Sequence, residues 1–456
     1  MFALILLYVA LTIVRPQDYL PALAGVPLLS AVLALAFLSW LGSSAKNLGA
    51  PHFLLLPVFL VALMASELFN GWGGGTLQQL AQFGPTVAAF FVLANAVAVD
   101  RERVRSAFAV FGLCALVLAL HGVDQKINGI GWTGVGMVED GRIQYVGIFQ
   151  DPNDLGLLFV TVLPMTVYLS AGGGFLRRAF WLAGAALLLY GIYLTNSRGA
   201  MLAVLVIGGG YLWYRRGALV AGTLAVAGLA GMRLLSSRMQ ELDADESSAA
   251  GRVDAWYEGL HMFHDKPLFG VGAGNFTDYN YLTAHNSFVL VLAETGFFGF
   301  VVWLAFVGYS FWMMAAVLRA RAPAADSATA TMAPAATHAG MAHYPRAAAG
   351  LPGRPRPRPQ ATTAPEDDWA AERKLALTLL LSLGGMFAAA FFLSRSYTVV
   401  LYLVIAVAVG YYVGARKRHP QLPSLSLRQT GWRWIPAALA AIVALFVLVK
   451  ILLVTE

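Results

Sequence analysis

Long apolar runs separated by short polar breaks fill almost the whole chain. About 13 of these runs reach, or nearly reach, the ~20 residues that a helix needs to cross a bilayer. They lie near residues 1–14, 22–41, 52–68, 79–98, 106–122, 153–171, 179–194, 200–214, 217–234, 286–318, 374–393, 397–413 and 433–454. The pattern predicts an all-α polytopic membrane protein with about 12–13 transmembrane helices. The run 286–318 is longer than one square crossing, so it is expected to tilt or to continue beyond the bilayer. Met1–Val14 lacks a basic leading region and a small-residue cleavage site, and reads as the first span rather than a signal peptide.

Two long segments interrupt this pattern. Residues 235–285 open with Ser236, Ser237 and an acidic stretch from Glu241 to Glu246. Val253, Trp256, Tyr257, Leu260 and Phe263 then recur at helical spacing, so Gly251–Asp265 is expected to form an amphipathic helix lying at the interface. Lys266 and Pro267 end it, and the run Gly270 to Phe276 is too rich in glycine for helix. The other segment, Ala320 to Glu372, is rich in Ala, Pro, Thr and Arg and is expected to be disordered. Its Pro-Arg alternation at 354–360 suits a plain linker better than an extended docking strip for a partner. The expected organisation is transmembrane helices over 1–234, an outer loop over 235–285, a span over 286–318, a cytoplasmic loop over 319–373 and further spans over 374–456. No internal repeat is visible.

Charge gives the orientation. The basic clusters Arg101/Arg103/Arg105, Arg177/Arg178, Arg215/Arg216, Arg319/Arg321 and Arg416/Lys417/Arg418 recur at every second loop. Such clusters mark the cytoplasmic side, which places the N-terminus inside. The formal net charge of +7 is then mostly this bias and calls for no nucleic acid. With 59% hydrophobic and 12% charged residues, the sequence leaves no soluble catalytic domain. It contains no phosphate loop, no His-Glu-x-x-His and no cysteine pair, and its one cysteine, Cys114, lies in a span. No metal or cofactor is expected.

Several arginines break the charge rule. Arg15, Arg142, Arg198, Arg252 and Arg395 all fall at or near the outer face. An arginine against an apolar run is costly unless it is paired, and its planar fork suits phosphate. Each also has a plainer reading. Arg198, Arg252 and Arg395 can snorkel to lipid phosphate, and Arg15 can pair with Asp18. Asp151 and Asp154 precede a span and can cap it or pair with an arginine. Glu67 and Asp254 are further candidate counter-ions. His285 stands where the outer loop enters a span, so the helix dipole should keep its imidazole neutral. It serves either as a general base or as part of an interfacial cap with Thr283 and Asn286. His261 and His264 lie on the polar side of the amphipathic helix.

These residues carry a resemblance. Thr195-Asn-Ser-Arg-Gly199, Gly251-Arg-Val-Asp-Ala-Trp256, the turn from Lys266 to Asn275 and Ala284-His-Asn-Ser287 resemble, in order and spacing, the O-antigen ligase and polymerase superfamily. Phe149-Gln-Asp-Pro-Asn-Asp154 resembles its upstream Pro-Asn element, and Arg15-Pro-Gln-Asp18 looks like the branch of O-glycosylation ligases found with exosortase systems. The specific likeness runs from about 142 to 300.

The resemblance implies a glycosyltransferase of the GT-C type in the bacterial inner membrane, acting on the periplasmic side. It implies a donor glycan on undecaprenyl diphosphate, with His285 as base and Arg198 and Arg252 as diphosphate clamps. Arg142, Arg395, Arg15, Asn196 and Asn286 are added as candidate substrate contacts. The acceptor would be a lipid A-core, another glycan or a protein. Ligase, polymerase and protein O-oligosaccharyltransferase therefore remain open. A transporter of lipid-linked sugars is the non-enzyme alternative, and membrane lipids are the only other expected partner. Oligomeric state is not legible.

The alternating basic loops make a topological prediction. Single cysteines placed near Ala244 and near Ala330, in a chain lacking Cys114, should react with an impermeant maleimide from opposite sides of the membrane. Labelling of both from one side would overturn the orientation.

Overall fold

In the computed structural model, residues 1–44, 46–235, 242–321 and 365–455 are described. They form α1 (Phe2–Val14), α2 (Leu28–Leu41), α3 (His52–Phe69), α4 (Gly73–Val97), α5 (Arg101–Asn128), α6 (Pro152–Ser170), α7 (Phe175–Thr195) and α8 (Arg198–Arg216). There follow α9 (Ala218–Leu235), α10 (Leu242–Asp265), α11 (Phe276–Tyr279), α12 (Ser287–Arg319), α13 (Pro365–Ala390), α14 (Val399–Arg418), α15 (Leu427–Thr430) and α16 (Trp434–Thr455). Among the described residues β pairing is confined to two isolated bridges.

The protein is an all-α, multi-pass membrane protein. Nine described helices are long and apolar enough to cross a bilayer. Phe2–Val14, Leu28–Leu41 and Ala218–Gly228 are shorter apolar helices. α6 and α14 are the innermost, with 83% of their apolar window buried, whereas α16 is the most peripheral at 22%. Exposed Leu, Val and Phe side chains on α16 fit a lipid-facing surface.

Small residues let the helices approach closely. Gly410 and Gly414 of α14, one helical turn apart, pack against the Ala94 and Ala98 carbonyls at the end of α4. A Cβ built on Gly410 would stand 2.3 Å from the Ala94 oxygen. Gly156 does the same service between α6 and α8, where a Cβ would lie 2.9 Å from that of Ala200.

α12 is not continuous. Gly296 leaves helical geometry at φ 63° and ψ −163°. The glycine-rich segment after α10 fills the break. Val271 N–H donates to the Ala293 carbonyl (2.9 Å), and Gly272 N–H donates to that of Glu294 (3.2 Å). Phe297 N–H donates to Pro267 (2.7 Å). These bonds satisfy backbone groups that lipid cannot, which is the condition for irregular backbone within a spanning segment. The backbones touch so closely that a Cβ on Gly270 would meet the Glu294 carbonyl carbon at 2.3 Å. The glycines expected as a simple turn are therefore an inserted strap.

Two expected boundaries differ. The interfacial helix begins at Leu242 rather than Gly251, so part of the acidic stretch is helical; Ser236, Ser237 and Glu241 lie outside the described residues. The helix that closes the 319–373 segment begins at Pro365 rather than at 374. Its added turns carry Asp368 and the fully buried Glu372. Asp368 pairs with Arg101, while Glu372 accepts from Arg418 Nε at 2.8 Å. Those pairs hold the extra turns against α5 and α14. The rest of that loop, including the Pro-Arg alternation, lies outside the described residues.

Gly410→Val should lower the thermal unfolding temperature of the purified protein, reflecting about 1–3 kcal/mol of overpacking. Gly384→Ala meets no atom within 4 Å and should be tolerated. Equal behaviour of the two variants would contradict the close α4–α14 contact.

Candidate active site

The ends of α3, α7 and α13 and the starts of α4, α6, α8, α12 and α14 lie at one end of the bundle. The basic clusters of Arg101 and Arg416 to Arg418 lie at the other, at the start of α5 and the end of α14. The polar candidates sit on the first end.

Asp151 caps α6, its carboxylate accepting from Asn153 N–H at 2.8 Å. Asp154, in the first turn of α6 and buried, pairs with Arg395 from the turn between α13 and α14. Arg395 also approaches Asp151 at 3.9 Å. Burial works against the charge of Arg395, but its hydrogen bond to Asp154 and the charges of Asp154 and Asp151 hold its pKa above the ordinary arginine value. Capping and pairing, alternatives in the sequence, are both realised.

The turn carrying Arg395 is stitched to the start of α12. Ser287 Oγ donates to the Leu393 carbonyl (2.6 Å) and accepts from Arg395 N–H (3.1 Å). Ser396 Oγ donates to the Ser287 carbonyl (2.7 Å), and Thr283 Oγ1 donates to Ser394 Oγ (2.9 Å). Asn286 caps α12 through the Phe288 and Val289 N–H groups. Its amide nitrogen is buried without a hydrogen-bond partner.

His285 stands immediately before that cap with φ 45°, a left-handed conformation unusual for histidine. It is half-buried, and its pKa is lowered from the ordinary histidine value. Burial is the main cause. Arg252 lowers it further, Asp151 opposes, and Arg395 lowers it again. Burial and the two cations thus favour the neutral imidazole, in the same direction as the helix dipole expected from the sequence. Arg252, near the middle of α10, is itself desolvated and coupled to Asp151. Trp256, one turn on, packs edge-to-face on Phe391 at 5.7 Å and fastens α10 to α13.

A cleft of about 670 Å³ opens beside these groups, lined by Asp151, Asp154, Arg395, Tyr397 and the Gly147–Ile148 edge. Arg15 and Asp18 form an ion pair at 2.5 Å. The Arg15 side chain lies over Gly147, where a Cβ would stand 2.2 Å from its Nε. Arg15 is therefore at the cleft margin.

The other candidates divide. Arg198 opens α8, one residue beyond the capping Ser197, in a turn packed between Gly156 of α6 and Phe392 after α13. Arg142 donates through Nε to the Thr195 carbonyl (2.9 Å) and through Nη2 to Asn153 Oδ1 (3.0 Å), tying the end of α7 to the start of α6. Asn196 ends α7 in a left-handed conformation and lines a separate cavity with Lys126 and Asp140. Asp254 is exposed. Glu67 is buried and is held by Gln79 and Asn275 at 3.2 and 3.4 Å, not by an arginine. Amides therefore replace the counter-ion role expected of Glu67. Glu294, which is buried, and the half-buried Tyr397 beside it were not selected by the sequence reading. Among the described residues no group of three or more His, Cys, Asp or Glu side chains is arranged to hold a metal ion.

Residues 183–304 match the O-antigen ligase family model. That stretch of the chain is similar to the O-antigen ligase family. It runs from within α7 to the first turns beyond the break in α12, and contains Arg198, Arg252 and His285. Arg395 meets it from outside at Ser287, and Asp151 acts on His285 from outside. No curated protein matches the chain.

The electrostatics make a signed prediction. In histidine-labelled protein, the resonance lost in His285→Ala should titrate below the ordinary pKa of about 6.5. Arg252→Gln should raise that pKa and Asp151→Asn should lower it. Opposite shifts would refute the coupling.

Proposed function

We propose that this O-antigen ligase-type membrane protein is a GT-C type glycosyltransferase that moves a glycan from undecaprenyl diphosphate to an acceptor hydroxyl on the periplasmic side of the bacterial inner membrane. The observation that carries the reading is a half-buried, neutral-leaning His285 flanked by Arg252 and Arg395 at one end of an apolar bundle, inside or against the stretch similar to the ligase family. A lipid diphosphate needs such a place: cations for its head, apolar helices for its tail.

In the proposed reaction the acceptor oxygen attacks the anomeric carbon as the bond from that carbon to the diphosphate oxygen breaks. The electron pair leaves with the diphosphate, whose growing negative charge Arg252 and Arg198 stabilise. His285 takes the acceptor proton. Its lowered pKa keeps it able to do so at neutral pH. A single displacement inverts the anomeric centre. Arginine keeps its charge when desolvated, so phosphate can be neutralised without a metal. Arg142 contributes by fixing the α6–α7 frame, and Arg395 by holding Asp154 and facing His285.

Lipid A-core, a second lipid-linked glycan and a protein hydroxyl all fit this chemistry as acceptors. The interrupted α12 invites comparison with transporters, whose broken helices line a pathway. Here the break is filled by the strap 267–272, which favours the enzyme reading.

With equal amounts of folded protein in liposomes, His285→Ala should lower glycan transfer by ~10²–10⁴-fold. Arg252→Lys should not restore what Arg252→Ala loses if the guanidinium grips phosphate with two bonds. Near-normal transfer by His285→Ala would remove His285 as base.

A further inference from the structure

A second cavity, about 400 Å³, lies on the far side of Tyr397 from the arginine cleft. Its walls include Trp72, Gln78, Gln79, Gln82 and Asn275, and no Lys, Arg or His lines it. Gln78 and Gln82 stand at i and i+4 on α4, a candidate membrane-spanning helix. Amides on such a helix are expensive against lipid, and these face a cavity.

Two of the amides are fixed. Gln79 Nε2 donates to Glu67 Oε1 at 3.2 Å and to the Ala273 carbonyl at 2.7 Å. Asn275 Nδ2 donates to Glu67 Oε2 at 3.4 Å. The Ala273 carbonyl accepts only, so the Gln79 NH₂ group must turn toward it, and the Asn275 NH₂ group lies on the Glu67 side. Both amide oxygens are then left as acceptors for the cavity. The buried Glu67, unpaired with any arginine, is thereby explained: it orients the wall.

We propose that this cavity is a subsite for an uncharged sugar ring of the glycan substrate, resting on the transferase reading above. Fixed amide oxygens accept from sugar hydroxyls, and the exposed Gln78 and Gln82 amides donate to others. The half-exposed Trp72 indole, laid over the first turn of α4, offers a flat face to the ring's C–H surface. The volume suits a small polar ligand. Without cations, the site gives diphosphate no foothold. The two cavities thus divide the substrate by chemistry: charge on the Arg395 side, hydroxyls on the Gln79 side, with Tyr397 as the shared wall.

The ring belongs either to the donor or to the acceptor, and saturation-transfer NMR on purified protein separates these sources. The probes are methyl glycosides of glucose, galactose and N-acetylglucosamine, inorganic pyrophosphate, and farnesyl-diphosphate-linked N-acetylglucosamine. At least one glycoside should bind the wild type and bind Gln82→Leu roughly 2- to 10-fold more weakly, the range of one lost neutral hydrogen bond. Trp72→Ala should weaken it too. Pyrophosphate should bind all three proteins alike, which also reports correct folding. A donor subsite predicts that the farnesyl-linked sugar displaces the glycoside; an acceptor subsite predicts that both bind together. Glycoside binding equal in wild type and variants, or absent where pyrophosphate binds, would overturn the subsite. Glycoside binding through this wall in a protein that transfers no glycan would instead sink the transferase reading alone.

Discussion

The pairing of Arg395 with Asp154 is the interaction around which one end of this bundle is arranged. Neither charge is tolerable alone beside apolar helices. Their meeting fixes the turn between α13 and α14 against the first turn of α6. Ser287 and Ser396 extend the constraint to α12, so the residue before its cap, His285, is held in a left-handed conformation. Trp256 then brings α10, and with it Arg252, to the same place. The cleft is a consequence of these ties.

The arginines are not one population. Arg142 is occupied with the scaffold, and Arg15 with Asp18. Arg252 and Arg395 are the two that depress the basicity of His285. Arg198 opens α8 within the same cluster of helix ends. A cluster of like charges repels itself. Asp151 and Asp154 offset part of that repulsion, and in the proposed function an incoming diphosphate offsets more. The same logic separates the second cavity, where buried Glu67 holds amides and no cation intrudes.

Much of this was legible in the sequence. Apolar runs gave the helices, because lipid exposure allows few alternatives to helix. Alternating basic loops sorted the two ends, and the exceptional arginines and His285 fall at one of them. The stretch matched by the ligase model begins at residue 183, downstream of the likeness read from about residue 142. What the sequence hid is tertiary. Gly270 and Gly272 advertise a turn, but their insertion against Ala293 and Glu294 depends on a helix that starts only at Ser287. Glu294 sits inside an apolar run and shows no periodic signal. Glu67 looked like a counter-ion because carboxylates beside arginines are common; only the fold reveals Gln79 and Asn275 in its reach. Helix boundaries moved for a similar reason, since Glu372 becomes helical by meeting Arg418 from another helix.

The central claim is that Arg252 and Arg198 hold a lipid diphosphate while His285 acts only in the chemical step. Equilibrium binding of undecaprenyl diphosphate to the protein in nanodiscs, without acceptor, isolates the first part. Binding should be saturable, little changed by His285→Ala, and at least severalfold weaker in Arg252→Ala and Arg198→Ala. Equal affinity in wild type and both arginine variants would contradict the account.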